Sequence, residues 1–452
     1  NLNVSGSNVD AWVRRRDVLR AAVFQAPMLP RLLLAPLLAG LLAPASSVGA
    51  TGPCNPDGSG PVCQLQFGTV PRTGGVNDGD TIDARVGGSI HHVRFVGVQA
   101  QELTRYSVTP SKWRGECHAV AAANFVEKIV RQGGYRVRLS AQHPRSDSIG
   151  RWERSLAFRI GGRWRDLGEM EMARGLTLWL HNTTETAWNQ RYNLLGQQAA
   201  LKGIGLWNPT TCGSGPAQDV PFKVWVMSDP VGDDAKDINS EYVRIQNRSP
   251  STSVSLAGWY MSDAGRKDLR FHFPADARLG PGQTLTIHSG HGQASGLTFY
   301  RNLDGTQFEN SANGGGAGDG AYLFDPKGDL RAHMTYPCLV ACSDPNLGAL
   351  RVTANATRGP EYVLIHNVSE RAVDLFGYEL RLPGGYGFGP DSVLRPGETM
   401  TVAVEGNPAN DTRLSKHIGY GGAYLPDSGG TASVTTFDEI VLACDSWGSG
   451  HC

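Results

Sequence analysis

Three short segments of this 452-residue chain combine the residue types that can hydrolyse a phosphate ester. They lie at residues 78–82, 93–102 and 147–151. A phosphodiester is anionic and resists attack by water, so its hydrolysis needs cations around the phosphoryl oxygens and a base for the water. Arg94 and Arg151 offer guanidinium donors that match phosphate, and Glu102 can orient or deprotonate a water.

Asp80 adds a candidate metal ligand to this set. It follows Gly79 on a predicted turn, and its carboxylate is a hard oxygen ligand suited to Ca²⁺. Acids and arginines at strand ends are usually solvated charges, so these residue types alone are weak evidence for a catalytic site.

The surrounding pattern predicts a small β-barrel with helices packed at its side. Apolar residues alternate in the predicted strands and recur with helical spacing in three other segments, each of which ends at glycine. The predicted strands are 65–90 with two internal turns, 92–98, 135–139 and 155–160, and the predicted helices are 116–132, 166–174 and 187–202. Glu102 should then lie where a strand gives way to a loop, and Arg151 should follow a turn at Gly150.

Residues 66–207 resemble the staphylococcal nuclease family. The resemblance is carried by the turn 78–81, the strand around Arg94, the segment that Glu102 closes, and the D-x-x-G-R motif 147–151. The later stretches 166–176 and 203–207 look like a helix and the domain end of the same family. Each of these motifs is modest alone, but together and in one order they make the resemblance specific.

The resemblance implies both a fold and an activity. The implied fold is α+β, an OB-fold-type five-stranded β-barrel with three helices. The implied activity is Ca²⁺-dependent hydrolysis of DNA and RNA. By the same resemblance Arg94 and Arg151 are the catalytic arginines, Glu102 is the general base or water-positioning group, and Asp80 is a calcium ligand.

Two positions near the implied metal site depart from the family pattern. The second calcium carboxylate of the family falls on Gln99, which offers only a neutral amide oxygen, and the next ligand is a backbone carbonyl, here that of Ala100. The predicted metal ligands are therefore Asp80, Gln99 and Ala100, with Ca²⁺ bound weakly or replaced by another divalent ion. Gln101 stands where the family has proline, which leaves the geometry of the following loop open.

Arg154 is the alternative to Arg151 as the second arginine. Arg151 is preferred because Gly150-Arg151 keeps the motif without a gap.

The formal net charge of zero hides an asymmetry along the chain. Residues 64–208 hold 19 Lys and Arg against 12 Asp and Glu, a balance of +7, whereas residues 209–452 hold 18 against 27, a balance of −9. A basic block beside an acidic block indicates that only the first meets a polyanion. DNA and RNA are the expected substrates, and no nucleotide cofactor is expected.

Residues 1–50 are typical of an export signal. Five arginines precede an apolar run at 32–45, and small residues follow it. The run is shorter than the ~20 apolar residues of a membrane span. The chain is therefore expected to be secreted, with association with the cell envelope as the alternative if the leader is retained.

All eight cysteines follow this segment, and an even number in an exported chain indicates disulfides. Nearness in the chain favours Cys54–Cys63, Cys338–Cys342 and Cys444–Cys452, which leaves Cys117–Cys212. A zinc site is the alternative, but no CxxC and no suitably spaced Cys/His set supports it.

The chain beyond Cys212 contains an internal repeat. Residues 241–247 (EYVRIQN) recur as 361–367 (EYVLIHN), 256–261 recur as 375–380, and 279–285 recur as 394–400. Alternating strands around Gly/Pro turns predict two copies of one β-sandwich. The copies resemble lamin-tail domains, which are immunoglobulin-like sandwiches.

The predicted organisation is therefore multidomain. A leader at 1–50 precedes a nuclease-like domain at 51–212, a linker at 213–218, and lamin-tail-like domains at 219–337 and 348–452.

Three interpretations of function remain open at this point. The first is an exported nuclease of low sequence specificity. The second is a catalytically weak or inactive nucleic-acid-binding barrel that has lost metal affinity through Gln99. The third is an envelope or adhesion protein in which the repeated domains bind an envelope component or a protein partner. Glu102 favours the first, because a pure binding module has no need of the acid.

Overall fold

The computed structural model describes residues 50–265, 267–310, 317–357 and 359–452. The predicted leader lies outside these residues, apart from Ala50. Within the described part, no helix is long and apolar enough to cross a membrane. The described strands fall into three groups, a barrel with helices followed by two all-β modules.

The first group of strands builds a closed five-stranded β-barrel. The strands of this group, which include those of the barrel, are β1 (Ala50–Pro53), β2 (Val62–Thr69), β3 (Thr81–Val86), β4 (Ser89–Phe95), β5 (Val98–Gln99), β6 (Leu103–Arg105), β7 (Arg114–Gly115), β8 (Arg136–Ala141), β9 (Asp147–Ser148), β10 (Arg151–Ile160), β11 (Arg163–Asp166) and β12 (Leu178–Trp179). The ladders run β2-β3-β4-β10-β8 and return to β2, which closes the barrel. The pairs are antiparallel except β4 with β10, which are parallel. The barrel predicted from the sequence is thereby confirmed.

The hairpin of β3 and β4 illustrates how the sequence makes these ladders. Gly87 and Gly88 join the strands with φ of 57° and 90°, which glycine adopts at little steric cost. Ile82, Ala84 and Val93 alternate inward and are fully buried. The hairpin thus presents an apolar face to the barrel interior and its polar face to the outside.

Three helices pack beside the barrel. They are α1 (Ala119–Gln132), α2 (Leu167–Met172) and α3 (Asn189–Leu201). Helix α1 buries Ala122, Val126 and Val130, four residues apart, and the chain leaves it through Gly134 at φ 64°. The predicted start of this helix at residue 116 is wrong by three residues, because His118 has φ 71° and interrupts the helical backbone.

The two C-terminal groups form modules with matching strands. The described residues of module 1 form β13 (Phe222–Met227), β14 (Tyr242–Asn247), β15 (Val254–Ser255), β16 (Tyr260–Ser262), β17 (Phe271–His272), β18 (Arg278–Leu279), β19 (Thr284–His288), β20 (Thr298–Tyr300), β21 (Gly320–Phe324) and β22 (Leu330–Thr335). Those of module 2 form β23 (Leu350–Asn355), β24 (Tyr362–Asn367), β25 (Val373–Asp374), β26 (Tyr378–Arg381), β27 (Gly385–Gly387), β28 (Val393–Leu394), β29 (Thr399–Ala403), β30 (Ser415–His417), β31 (Gly429–Thr436) and β32 (Val441–Gly448).

Each module is a sandwich-like pair of four-stranded sheets. The sheets run β13-β14-β19-β20 and β17-β16-β21-β22 in module 1, and β23-β24-β29-β30 and β27-β26-β31-β32 in module 2. In the first sheet of both copies, the last two strands pair in parallel, and all other neighbouring strands pair antiparallel. The repeat seen in the sequence is therefore a repeat of the backbone.

The polar ends of the repeated segment have the same role in both copies. Asn247 donates to the carbonyls of Thr252 and Leu279, and Asn367 donates to those of Arg371 and Leu394. The glutamates at the other end bind backbone too, since Glu241 accepts from two successive amides and so does Glu361. These side chains hold connecting loops against a central strand, which explains why the segment repeats.

The barrel and the modules pack as one compact unit. Leu206 and Trp207 at the end of the barrel domain share an apolar cluster with Tyr322, Phe324 and Leu330 of module 1. The predicted linker 213–218 lies along module 1, since Arg331 Nη1 donates to the carbonyl of Pro216 at 2.7 Å.

Four disulfides are present, and they are the four favoured by the sequence. They join Cys54–Cys63, Cys117–Cys212, Cys338–Cys342 and Cys444–Cys452. Among the described residues, Cys117, His118 and Cys212 form a group close enough to share a metal ion, but a sulfur in a disulfide is not a thiolate ligand. The pattern is consistent with an extracellular protein.

Candidate functional site

The turn before β3 packs against helix α1 at Gly79, the residue that precedes Asp80. Gly79 makes this approach possible, because a Cβ at this position would lie 2.6 Å from Ala122 Cβ and 2.8 Å from Ala100 Cβ. Asp80 is buried, and its Oδ2 accepts a hydrogen bond from the amide of Ala100 at 2.8 Å. The carboxylate is thus fixed by backbone before any ligand binds.

Arg94 lies opposite the start of β3 and contacts the same carboxylate. Strand pairing sets Thr81 beside Arg94, and Arg94 Nη1 lies 3.0 Å from Asp80 Oδ1. Nη2 donates to Gln99 Oε1 at 2.7 Å. The guanidinium is therefore oriented by a buried ion pair and a neutral amide at the edge of the barrel.

Gln99 links two of the predicted metal ligands to Arg94. Its Oε1 accepts from Arg94, and its Nε2 donates to the carbonyl of Ala100 at 3.0 Å. Besides Asp80, the sequence predicts two oxygen ligands for a metal, Gln99 Oε1 and the carbonyl of Ala100. Both of these oxygens already accept a hydrogen bond within the protein.

Glu102 is the last residue of the loop 100–102, which joins β5 to β6. Its amide donates to Glu116 Oε2 at 3.1 Å, and its carbonyl accepts from the amide of Glu116 at 2.9 Å. Burial raises the pKa of the Glu102 carboxyl, and the negative charges of Asp80 and Glu116 raise it further. A carboxylate with a raised pKa is a stronger base than one exposed to solvent.

Arg151 begins β10 immediately after a turn. Gly150 has φ 75°, and Arg151 Nε donates to the carbonyl of Ser148 at 3.1 Å. Arg154 is only 2% exposed, and its guanidinium donates to the carbonyls of Pro144 and Ser146. The structure thus places Arg151, and not Arg154, where an incoming ligand can reach it.

The predicted side chains line one cleft of about 870 Å³. Asp80, Arg94, Gln99, Glu102 and Arg151 are all on its wall, while Ala100 lies behind them and is buried. The geometry therefore brings together two guanidinium groups and two carboxyl groups at a single surface. Their chemical roles remain predictions.

Module 1 supplies the opposite wall of this cleft, which the sequence did not indicate. Asp263, Lys267, His272 and Gln307 line it. His181 from the barrel side lies 3.2 Å from Glu309 and 3.3 Å from Asp319 of the module. No periodicity or motif in the sequence reports a contact between segments so far apart.

Two further acids belong to the site and were not assigned from the sequence. Burial, together with the charge of Asp80, raises the pKa of Asp78 to about 8. Glu171 of α2 is fully buried, and neither of its oxygens has a hydrogen-bond partner among the described residues. Burial and the charges of Asp80 and Asp166 raise the pKa of Glu171 well above its ordinary value. Asp78 belongs to the segment 78–82 that the sequence already singles out, but no role was assigned to it there. Nothing in the sequence marks Glu171 as buried.

The donor set around Asp80 fits a divalent cation. Asp78 lines the cleft beside Asp80, and two neighbouring buried carboxyls repel each other when both are ionised. A cation relieves that repulsion, and carboxylate, carbonyl and amide oxygens are the ligands that Ca²⁺ accepts. Arg94 already supplies one positive charge here and Gln99 supplies none, so the expected affinity is low.

Comparison with known proteins identifies module 1. Residues 225–338 match the family model of the lamin tail domain. The match confirms the resemblance inferred for this module and covers about a quarter of the chain. No curated protein matches the sequence.

Proposed function

We propose that this chain is an exported nuclease that hydrolyses the phosphodiester bonds of DNA and RNA with low sequence specificity. The observation that carries the proposal is the convergence of Arg94, Arg151 and Glu102 on one cleft beside Asp80. Two guanidiniums can bind the nonbridging oxygens of a phosphate, and the carboxylate can act on a water. The basic balance of residues 64–208 suits a polyanionic substrate.

In the proposed reaction Glu102 accepts a proton as a water attacks phosphorus. The new P–O bond forms with the water oxygen, the ester P–O bond to the departing nucleoside breaks, and the departing oxygen takes a proton from solvent. Arg94 and Arg151 donate to the phosphoryl oxygens, whose negative charge grows in the transition state. Asp80, Asp78, Gln99 and the Ala100 carbonyl would hold Ca²⁺ or another divalent ion, which supplies further positive charge to the phosphate.

Export is part of the proposal. Four disulfides support it, because such bonds persist in oxidising compartments. The acidic balance of residues 209–452 argues against a second nucleic-acid surface on the modules, so a partner in the cell envelope is the interaction proposed for module 2.

A second candidate function is nucleic-acid binding without cleavage. The ion pair between Arg94 and Asp80 favours it, since this pair satisfies the carboxylate without a metal. The neutral amide of Gln99 favours it as well.

Digestion of plasmid DNA and single-stranded RNA by the full chain tests the proposal. With millimolar Ca²⁺, Glu102→Gln should lower kcat roughly 100- to 10,000-fold, the range for loss of a general base. The matched control is Glu127→Gln, which neutralises an acid paired with Arg131 on the surface of α1. Binding of nucleic acid that survives a chelator, without cleavage in any divalent ion, would instead establish the second candidate.

The charge at residue 99 gives a test of the metal assignment. Gln99→Asp adds the missing carboxylate, so the Ca²⁺ concentration for half-maximal cleavage should fall by about tenfold or more. Gln99→Asn is the control, because it shortens the side chain without adding charge. Equal Ca²⁺ dependence of the two variants would place the ion elsewhere.

A further inference from the structure

One hairpin of module 1 reaches across to the barrel. Arg270, at the end of the segment that joins β16 to β17, donates to both oxygens of Glu116, with Nη1 2.6 Å from Oε1 and Nη2 3.1 Å from Oε2. Lys267 on the same segment lies 2.8 Å from Glu116 Oε1. The side chain of Arg270 is 8% exposed, and its guanidinium lies over the ring of Tyr260. A bidentate and mostly buried ion pair of this kind fixes the orientation of both side chains.

Glu116 passes this constraint to Glu102. Its Oε2 accepts from the amide of Glu102 at 3.1 Å, while its own amide donates to the carbonyl of Glu102 at 2.9 Å. Gly115 makes the close approach possible, because a Cβ there would lie 2.7 Å from that carbonyl oxygen. Both peptide groups of Glu102 are therefore held by one residue.

The surroundings keep Glu116 ionised and in place. Burial alone would raise the pKa of Glu116, but hydrogen bonds and charges from Arg270 and Lys267 outweigh it and lower the pKa to about 2. Cys117 is the next residue, and its disulfide to Cys212 anchors the segment to the end of the barrel domain. Glu116 thus remains an acceptor at any physiological pH.

We propose that Arg270 of module 1 is a positioning residue for Glu102, acting through Glu116, so that the lamin-tail module completes the active site of the barrel. The inference rests on the proposed function for its catalytic consequence, but the constraint on the backbone at Glu102 exists independently of it. Module 1 is in this sense a part of the enzyme, because the loop that carries the base has its supporting partner on another domain.

Hydrogen exchange of the full chain tests the constraint without any assay of activity. In Arg270→Met, peptides that cover residues 100–104 should exchange at least about tenfold faster, since the amide of Glu102 loses a fixed acceptor. Arg278→Met, at an exposed arginine of the same module, is the matched control. Unchanged exchange in Arg270→Met overturns the proposal, and Arg270→Lys supplies the same comparison if the methionine variant does not fold.

Kinetics of the same variants test the consequence for catalysis. Arg270→Met should lower kcat about 10- to 100-fold with little change in KM, since the base is displaced while the arginines remain. The charge-swapped pair Glu116→Arg with Arg270→Glu separates positioning from docking. It restores the ion pair between the domains, but an arginine at 116 offers no acceptor to Glu102, so thermal stability should recover while kcat stays low.

Each result has one meaning. Recovery of kcat in the charge-swapped protein means that the ion pair only docks the module, and it overturns the proposal. Full activity of Glu102→Gln means that Glu102 is not the base in the proposed function, and absence of cleavage by the wild type means that the proposed function itself is wrong. In either case the exchange experiment still decides whether Arg270 holds this loop.

Discussion

In module 1 the strands β16 and β17 are joined by residues 263–270, whereas the equivalent strands of module 2, β26 and β27, are joined by residues 382–384. The rest of the sheet pairing is the same in the two copies. The longer hairpin carries Lys267 and Arg270 to the barrel, and the shorter one carries neither.

Each hairpin nevertheless contacts the part of the chain that precedes its own module. In module 1 the contact is from Arg270 to Glu116 of the barrel domain. In module 2 the amide of Gly385 donates to the carbonyl of Asp229 of module 1 at 2.7 Å, and Arg381 lies 3.1 Å from the carboxylate of Asp229. The comparison teaches that the ladders determine where a module's hairpin lies, while its length and side chains determine what it does there.

Exchange of the hairpins should have the largest effect. Replacing residues 263–270 by the three residues 382–384 removes both Lys267 and Arg270 together with part of the module 1 wall of the cleft. We expect kcat to fall between about 100- and 1,000-fold, more than for Arg270→Met, because positioning and substrate contacts are lost together. Module 2 shows that the fold accepts the short hairpin, so the circular dichroism spectrum should be unchanged. Activity near that of the wild type would mean that hairpin length has no functional meaning.

Removal of Arg381 should affect stability and not activity. Arg381 lies 2.6 Å from Glu379 and 3.1 Å from Asp229, and all three side chains are largely buried. Arg381→Met should lower the free energy of unfolding by about 2–3 kcal/mol, toward the low end for a broken buried pair. The loss is moderated because burial already raises the pKa of Glu379 to about 7, so this acid can protonate when its partner is gone. Denaturant unfolding measures the change, and a fall in kcat beyond the loss of folded protein would contradict the assignment.

The contact between barrel and module 1 should depend weakly on pH. Burial alone would lower the pKa of His181, but Asp319 and Glu309 outweigh it and raise the pKa. The stabilisation from protonated His181 is therefore complete below the ordinary pKa of histidine and is lost as pH rises through the higher pKa of the folded state. Other buried acids also titrate in this range, so the informative quantity is a difference between variants. His181→Gln should be less stable than the wild type by up to about 1 kcal/mol near pH 6, and this gap should narrow by pH 8.5.

His451→Gln, at an exposed residue near the C-terminus, is the control for that measurement. A gap for His181→Gln that stays constant with pH would show that the histidine acts by packing and not by charge.

Local signals in the sequence predicted much of the fold. Glycines marked the ends of all three helices, and alternation of apolar residues marked the barrel strands and both copies of the repeat. Strand β1 was missed because its four residues adjoin the leader and pair only with β2, through a turn that Cys54–Cys63 closes. The linker 213–218 was predicted from its Gly and Pro content, which could not reveal that Arg331 holds it against module 1.

The motifs in the sequence predicted which residues form the candidate site but not the contacts that surround them. The motifs named the side chains that the structure places in one cleft, and of the two candidate arginines Arg151 lines this cleft while Arg154 is buried. They could not report that Gln99 bonds to both Arg94 and the carbonyl of Ala100, nor that no residue in the described part of the chain gives the buried carboxyl of Glu171 a hydrogen bond. The contact of Arg270 with Glu116 could not be predicted either, because Arg270 follows Glu116 by 154 residues and belongs to another domain.

Hairpin length can be counted in any related sequence without coordinates. A chain that joins a barrel of this kind to a lamin-tail module but has only three residues between the two strands cannot form the bond from Arg270 to Glu116. Such a chain must hold its counterpart of the loop 100–102 in another way or leave it without this support. The number of residues in this one turn therefore distinguishes two kinds of relative. In one kind the appended module can hold the barrel loop, and in the other the barrel must fold this loop without the module.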